Sequence, residues 1–331
     1  MPRVLDVSNS AAPGTVAAIN EAAARLRAGG VVAFPTETVY GLGADTFNPE
    51  AIERIYRLKG RPADNPLIAH VLDVGQARHL TRRWDDRCDA LAKRFWPGPL
   101  TLVLMRADRV PPEATADLPT IAVRSPRHAA ARALLRAFGG PISAPSANRS
   151  GRISPTCAAH VAADFADAGD LLILDGGPCD VGIESTVLDM TQRPPAVLRP
   201  GSVTVAALCE ELGEAAAAAP ALQQGPSPGT SPFHYAPVTP AELVSDVQGR
   251  LKSLAAPAVA VCLDAGRVAP PHRAIPMPAD AGAYAAELYD ALRRADAMRC
   301  ALIVIERPAA QGELWDAIRD RLRRATGRVT D

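Results

Sequence analysis

Between Thr15 and Arg27 the apolar residues fall at 16, 19, 22, 23 and 26, one stripe of an α-helix, and Gly29-Gly30 supplies its stop. The apolar run Val31 to Phe34 then predicts a buried strand, after which a polar loop carries Thr36, Glu37, Thr38, Gly41 and Gly43. Asn48 is a good N-cap with Pro49 in the first helical position. Ile52, Ile55 and Leu58 make one face of a short helix that Gly60 closes. The basic turn Lys59-Gly60-Arg61-Pro62 leads into a second strand, Leu67 to Leu72, which carries His70. Lys59 and Arg61 are thereby expected in a turn rather than in the core.

The alternation continues with strands at Leu100 to Met105 and Thr120 to Arg124, and a helix at Pro126 to Phe138. The loop SAPSANRSGRISPT follows, dense in small hydroxyls, and then strands at Leu171 to Asp175, Ser185 to Met190 and Ala196 to Arg199. The stretch from 171 to 199 is too short for helical crossovers, so some antiparallel pairing is predicted within a layered α/β sheet. After a helix at Val205 to Leu212, an alanine run and a proline-rich segment through Pro240 lose all periodicity and read as a stiff linker. A second alternation follows: helix near 241–254, strand 258–263, helix 283–295, strand 301–306, helix 313–325. The predicted organisation is an α/β domain over 1–212, a linker over 213–240 and a smaller α/β domain over 241–331.

Composition narrows the class. Hydrophobic residues make up 48% and charged residues 22%, the balance of a globular chain, and 36 basic residues offset 36 acidic ones. A zero net charge does not announce a nucleic-acid binder. Six scattered cysteines form no close pair of the zinc or redox kind, and no signal pattern or membrane-length apolar run is present. A cytoplasmic protein is expected. Lysine occurs only at 59, 93 and 252, which sets Lys59 apart in a chain that otherwise uses arginine.

The chemistry-bearing residues form no phosphate loop of the G-x-x-x-x-G-K-[ST] type, no H-E-x-x-H and no G-x-S-x-G. Gly41-Leu42-Gly43 lacks the third glycine of a dinucleotide fingerprint. Small hydroxyls, arginines and one lysine gather instead at predicted strand ends. Such donors suit an anionic substrate, a nucleoside triphosphate or a carboxylate, and catalysis by positioning and charge stabilisation. Taken singly, Ser143, Ser146 and Asn148 read equally as turn formers, His70 as a core histidine, and Arg124 and Arg199 as solvated strand ends.

Taken together, PTETVYGLGAD (35–45), KGRPADNPLIAH (59–70), SAPSANRSG (143–151), GIESTVLD (182–189) and LRPGS (198–202) resemble the YrdC-like threonylcarbamoyl-AMP synthases, in their longer two-domain form. The resemblance implies a twisted mixed-sheet domain with a large concave cavity, a linker over the active site, and a smaller Rossmann-like α/β domain. It implies a nucleotidyltransferase that makes threonylcarbamoyl-AMP and pyrophosphate from L-threonine, bicarbonate and ATP, with Mg2+ brought by ATP and no tightly bound protein metal. The product would pass to a tRNA threonylcarbamoyltransferase complex, with tRNA itself weighed as a partner.

By the same resemblance, Thr38, His70, Arg124, Ala144 and Ser185 fall at L-threonine positions. Arg61, Asn65, Thr120, Ser146, Ser154, Arg199 and Tyr235 fall at ATP positions, with Lys59 and Arg61 serving the phosphates in catalysis. Two departures stand out: Thr230-Ser231-Pro232 after Gly229 in the linker, and Gly312-Glu313-Leu314 before the final helix. The competing reading is a tRNA or double-stranded-RNA binding module without synthase activity, motivated by Arg54, Arg57, Lys59 and Arg61. A carbamoyl-adenylate-forming relative is a narrower alternative.

Overall fold

Val31 and Ala33 enter one apolar cluster while Val32 and Phe34 enter another, the period-two signature of a strand buried on both faces. Ile173 parts from Leu172 and Leu174 in the same way. The computed structural model describes residues 1–9, 12–218 and 235–327, which divide into two units. One holds Met1–Ser150, Pro155–Asp180 and the described residues from Glu184 to 218. The other holds Gly151–Ser154, Val181–Ile183 and the described residues from 235.

In the first unit the elements are β1 (Arg3–Asp6), α1 (Pro13–Arg27), β2 (Val32–Phe34), β3 (Gly41–Asp45), α2 (Pro49–Lys59), β4 (Ile68–His70), α3 (Val74–Leu80), α4 (Asp86–Phe95), β5 (Leu100–Met105) and β6 (Thr120–Arg124). They continue with α5 (Ala129–Phe138), β7 (Ile142–Ala144), α6 (Ala158–Asp164), β8 (Leu172–Asp175), β9 (Thr186–Asp189), β10 (Ala196–Arg199), α7 (Val205–Leu212) and β11 (Ala217–Ala218). The strands make one mixed sheet in the order β1-β8-β2-β3-β7-β4-β6-β5-β9-β10-β11. The predicted antiparallel pairing between 171 and 199 is β9 with β10, whereas β8 lies far from both, between β1 and β2.

Strand directions place the chemistry. β4 runs parallel to β6, β6 antiparallel to β5, β5 parallel to β9, and β9 antiparallel to β10. The carboxyl ends of β4, β6 and β10, with His70, Arg124 and Arg199, therefore share one edge of the sheet. The amino ends of β5 and β9, with Thr101 and Ser185 beside them, come to that same edge.

Several elements differ from expectation. Gly41 to Asp45 is a strand rather than a loop, because its glycines hide the alternation. A Cβ on Gly43 would stand 2.6 Å from both Ile142 Cγ2 and the Phe34 ring, so only glycine lets β3 pack there. The alanine run contributes β11, paired in parallel with β10. The proposed linker segment 219–234, with Thr230, Ser231 and Pro232, lies outside the described residues.

The second unit comprises β12 (Ala241–Val244), α8 (Val247–Lys252), β13 (Ala258–Cys262), β14 (Arg273–Pro276), α9 (Ala281–Ala297), β15 (Leu302–Glu306) and α10 (Glu313–Thr326). Its strands form a wholly parallel sheet ordered β12-β15-β13-β14. The segment 241–254 is thus a strand and a short helix, not one helix. Asp246 separates them by capping α8 through a 2.9 Å bond from Gly249 N–H.

Candidate active site

The loop after β2 is organised by Thr36, whose hydroxyl donates to Val39 O at 2.6 Å and lies 2.9 Å from Thr38 Oγ1. The backbone N–H groups of Thr38 and Val39 both donate to that hydroxyl oxygen at 3.2 Å. This turn delivers Thr38 to Arg124, whose Nη1 donates to Thr38 Oγ1 at 2.9 Å while its Nε donates to Gly98 O at 3.2 Å. Arg124 Nη2 lies 2.7 Å from Glu37 Oε1 in a buried ion pair. Glu37 Oε2 accepts from Arg127 N–H at 2.9 Å. Burial alone would raise the Glu37 pKa, but the Arg124 charge and the Arg127 N–H outweigh it and hold the carboxyl below its usual value.

His70 stands beside Arg124 in the β4–β6 register and meets the Phe34 ring edge-on at 5.7 Å. Its Nδ1 lies 3.1 Å from Ile68 O, and since a carbonyl only accepts, Nδ1 carries the proton. Burial first, and then the Arg124 charge, push its pKa down to about 3, so the imidazole is neutral near pH 7.

A second cluster joins Ser185 to Arg199. Arg199 Nε donates to Ser185 O and Nη2 to Ser185 Oγ, both at 3.1 Å, and Ser185 Oγ lies 2.8 Å from Thr101 Oγ1. Arg199 and Ser185 are buried, so the predicted solvated strand end is corrected: the guanidinium is enclosed and fixed. Arg124 is likewise buried, with 3% exposure, and its structural reading as a solvated strand end fails for the same reason.

The basic turn is also corrected. Lys59 ends α2 and is 2% exposed, with Nζ donating to Ser146 O at 2.6 Å and to Asn148 O. The ammonium clamps the SAN loop and is no mobile side chain in a turn. Burial, together with the Arg61 and Arg149 charges, lowers its pKa well below the usual value. Arg61, 8% exposed, donates from Nε to Asn65 O at 2.9 Å and from Nη2 to Asn65 Oδ1 at 2.5 Å and to Pro66 O at 2.8 Å. Gly60 closes α2 in the left-handed conformation, and Arg61 folds onto the nearby carbonyls of Asn65 and Pro66, whereas Lys59 is enclosed by carbonyls of a distant segment, those of Ser146 and Asn148.

The structure therefore brings Thr38, His70 and Arg124 together, joins Ser185 to Arg199, links Lys59 to Ser146, and pairs Arg61 with Asn65. Ala144 pairs with Ile68, two residues before His70 on β4. Thr120 begins β6, roughly 13 Å along the strand from Arg124. Ser154 and Tyr235 belong to the second unit, where Ser154 is buried and Tyr235 lies 1% exposed. Tyr235 stacks on Tyr289 at 5.5 Å beneath the Arg321 guanidinium at 5.9 Å. Glu37 and Thr101 carry no role in the motif reading. The only sequence signal for Glu37 is an acid in a short loop between apolar strands.

Residues 24–201 match the Sua5_yciO_yrdC family model, described as "Telomere recombination". Residues 203–327 match Sua5_C, the "Threonylcarbamoyl-AMP synthase, C-terminal domain". The chain is 39% identical over 321 residues to the threonylcarbamoyl-AMP synthase of Pyrococcus abyssi, covering 93% of this chain and 94% of that one. It is 46% identical over 240 residues to that of Bacillus subtilis, covering 71% and 69%. The crystal structure of P. abyssi Sua5 complexed with L-threonine superposes with a TM-score of 0.90 at 36% identity, over 98% of each chain. On two family models in tandem and a relative matched nearly end to end, the chain belongs to the Sua5/YciO/YrdC family, in the form that carries the C-terminal domain of threonylcarbamoyl-AMP synthase.

Proposed function

We propose that the chain is an L-threonylcarbamoyladenylate synthase, a cytoplasmic nucleotidyltransferase that converts L-threonine, bicarbonate and ATP into threonylcarbamoyl-AMP and pyrophosphate. The observation that supports it most is the likeness over 98% of the chain to a solved relative holding L-threonine. Arg124, Glu37, Thr38 and neutral His70 make a buried, charge-paired cluster whose chemistry suits an amino acid.

In this reading the threonine nitrogen attacks the bicarbonate carbon. The threonine ammonium first gives one proton to solvent; the C–N bond then forms as the C–OH bond breaks, and the hydroxide leaves as water with a second nitrogen proton. An oxygen of the resulting carbamate attacks the α-phosphorus, and the bond to the pyrophosphate oxygen breaks. Arg124 holds the substrate carboxylate, with Thr38, His70, Ala144 and Ser185 around the amino acid. Arg61, Asn65, Thr120, Ser146, Ser154, Arg199 and Tyr235 serve ATP. Lys59 has three N–H donors, of which two hold the SAN loop, and that loop in turn presents Ser146. Fixed donors of this kind act by positioning and by offsetting phosphate charge.

Magnesium enters as part of the substrate, MgATP. Mg2+ commonly rides on substrate phosphates. The product is an activated carbamate for a tRNA-modifying threonylcarbamoyltransferase. Among the described residues no helix is long and apolar enough to cross a membrane.

The test is pyrophosphate release by purified protein with ATP, bicarbonate and L-threonine, leaving out each in turn. Release should require all three. Release that ignores threonine would sink the synthase reading, and none at all with salt-sensitive RNA binding would return the RNA-module reading.

A further inference from the structure

A cavity of about 510 Å3 lies in the first unit between α1, α2 and the turn that leads into β8. Four arginines from three separate segments line it: Arg25 of α1, Arg54 and Arg57 of α2, and Arg149 of the SAN loop. Two of them are built into its wall. Arg149 donates from Nη2 to Asp167 Oδ2 at 2.7 Å and from Nε to Asp164 O at 3.1 Å. Arg25 lies across Gly30, where a Cβ would stand 2.6 Å from Arg25 Cγ, and it donates from Nε to Val31 O at 3.2 Å, with Nη2 3.3 Å from Asp170 Oδ2. The other two keep most of their donors unspent among the described residues. Arg54 donates one bond, from Nη1 to Gly29 O at 3.0 Å, and Arg57 has an exposed ion pair with Glu53 at 3.6 Å, of a kind worth little. The carboxylates of the lining, Asp167 and Asp170, are already matched by Arg149 and Arg25, so the positive charge of Arg54 and Arg57 is left over.

Val31 and Leu171 in the lining belong to the apolar cluster beneath α2, which also takes Ala69 and Val123. His70 and Arg124 come one residue later on β4 and β6, so they face the other side of the sheet, and the cavity is separate from their cluster. Its volume falls in the range of about 300–1,000 Å3 usual for small-molecule sites. Arg54 and Arg57 stand three residues apart on one helix, close enough to meet on a single group. A carboxylate has two oxygens and satisfies one guanidinium fork, whereas the three terminal oxygens of a phosphate can serve two. We propose that this cavity binds a small phosphate-bearing anion, a diphosphate or a nucleoside diphosphate, held by Arg54 and Arg57 against the fixed wall of Arg25 and Arg149. It is distinct from the ATP positions and independent of the synthase reading. A cavity rather than a broad basic face, in a chain of zero net charge, favours a small anion over an RNA backbone.

Arginine modification by phenylglyoxal, mapped by peptide mass spectrometry on the full wild-type chain, reads the site residue by residue. Pyrophosphate or ADP should slow the modification of Arg54 and Arg57 about 10-fold, the worth of one hydrogen bond to a charged group. Stronger protection by ADP than by pyrophosphate supports a nucleotide ligand, and equal protection supports the diphosphate alone. Arg54 and Arg57 modified at the same rate with and without both anions overturns the proposal, whatever happens at Arg61 and Arg199. Protection of the pair by duplex RNA but by neither small anion overturns it as well. The double variant Arg54→Gln, Arg57→Gln leaves the buried face of α2, Ile52 and Ile55, intact. Equilibrium dialysis with ADP should show one class of site weakened about 10- to 100-fold in that variant. An ADP isotherm identical to that of the wild type overturns the proposal. None of these readouts depends on turnover, so the proposal and the synthase reading fail separately.

Discussion

Replacing Lys59 by methionine removes the ammonium and keeps the length of the side chain. Lys59 Nζ serves the carbonyls of Ser146 and Asn148, and the side chain is buried. Each orphaned buried carbonyl costs about 1–3 kcal/mol, and the relief of no longer burying a charged amine offsets part of that. A net loss of about 3 kcal/mol follows, which lowers the melting temperature of a unit of this size by roughly 6–12 °C. The SAN loop should loosen, so adenylate formation falls with stability rather than independently of it. Burial, then the Arg61 and Arg149 charges, set the folded pKa well below the usual 10.5. Between those values the unfolded chain binds a proton that the folded chain has lost. Wild-type stability therefore gains an increment as pH rises through that window, and the methionine variant lacks it. Calorimetric melting across a pH series, beside a turnover assay, reads all three effects. A variant that melts with the wild type and turns over at its rate would refute the clamp.

Other outcomes follow from the same contacts. His70, with a folded pKa of about 3, is neutral in the working range, so its titration should leave no inflection near pH 6.5 in the rate profile. The unfolded chain binds the proton first as pH falls from 6.5, so His70→Gln should flatten the acid loss of stability between those values, measured by denaturant titration. Gly43→Ala places a Cβ 2.6 Å from Ile142 and Phe34 and should cost about 1–3 kcal/mol in the same assay. Ser185→Ala removes an acceptor of Arg199 and a partner of Thr101, and should raise the KM for threonine about 10-fold, read by initial rates.

The strands buried on both faces and the capped α2 were legible because apolar parity and capping chemistry are local. Asn48 accepts from Ala51 N–H at 3.0 Å and Gly60 adopts φ 60°, as the residue types predict. β3 was not legible, since Gly43 answers to Ile142, 99 residues further along the chain, which no local pattern reports. The burial of Lys59 was hidden for a similar reason: its carbonyl partners lie 87 and 89 residues along the chain. The apolar runs marked His70, Arg124 and Arg199 as strand ends, but the pairing of Arg124 with Glu37 exists only once β6 and the loop after β2 meet. Charge type alone marked Arg124 and Arg199 as solvent-facing. Their enclosure depends on acceptors drawn from loops distant in sequence: Gly98, Thr38 and Ser185.

The central claim is that this chain forms a carbon–nitrogen bond between threonine and bicarbonate and hands the carbamate to AMP. Incubation with 13C-bicarbonate, L-threonine and MgATP, followed by rapid quenching and mass spectrometry, tests it most directly. An adenylate carrying one 13C is expected, formed in step with pyrophosphate and absent when threonine is omitted. An adenylate without the label, or pyrophosphate released with no labelled adenylate at early times, would contradict it.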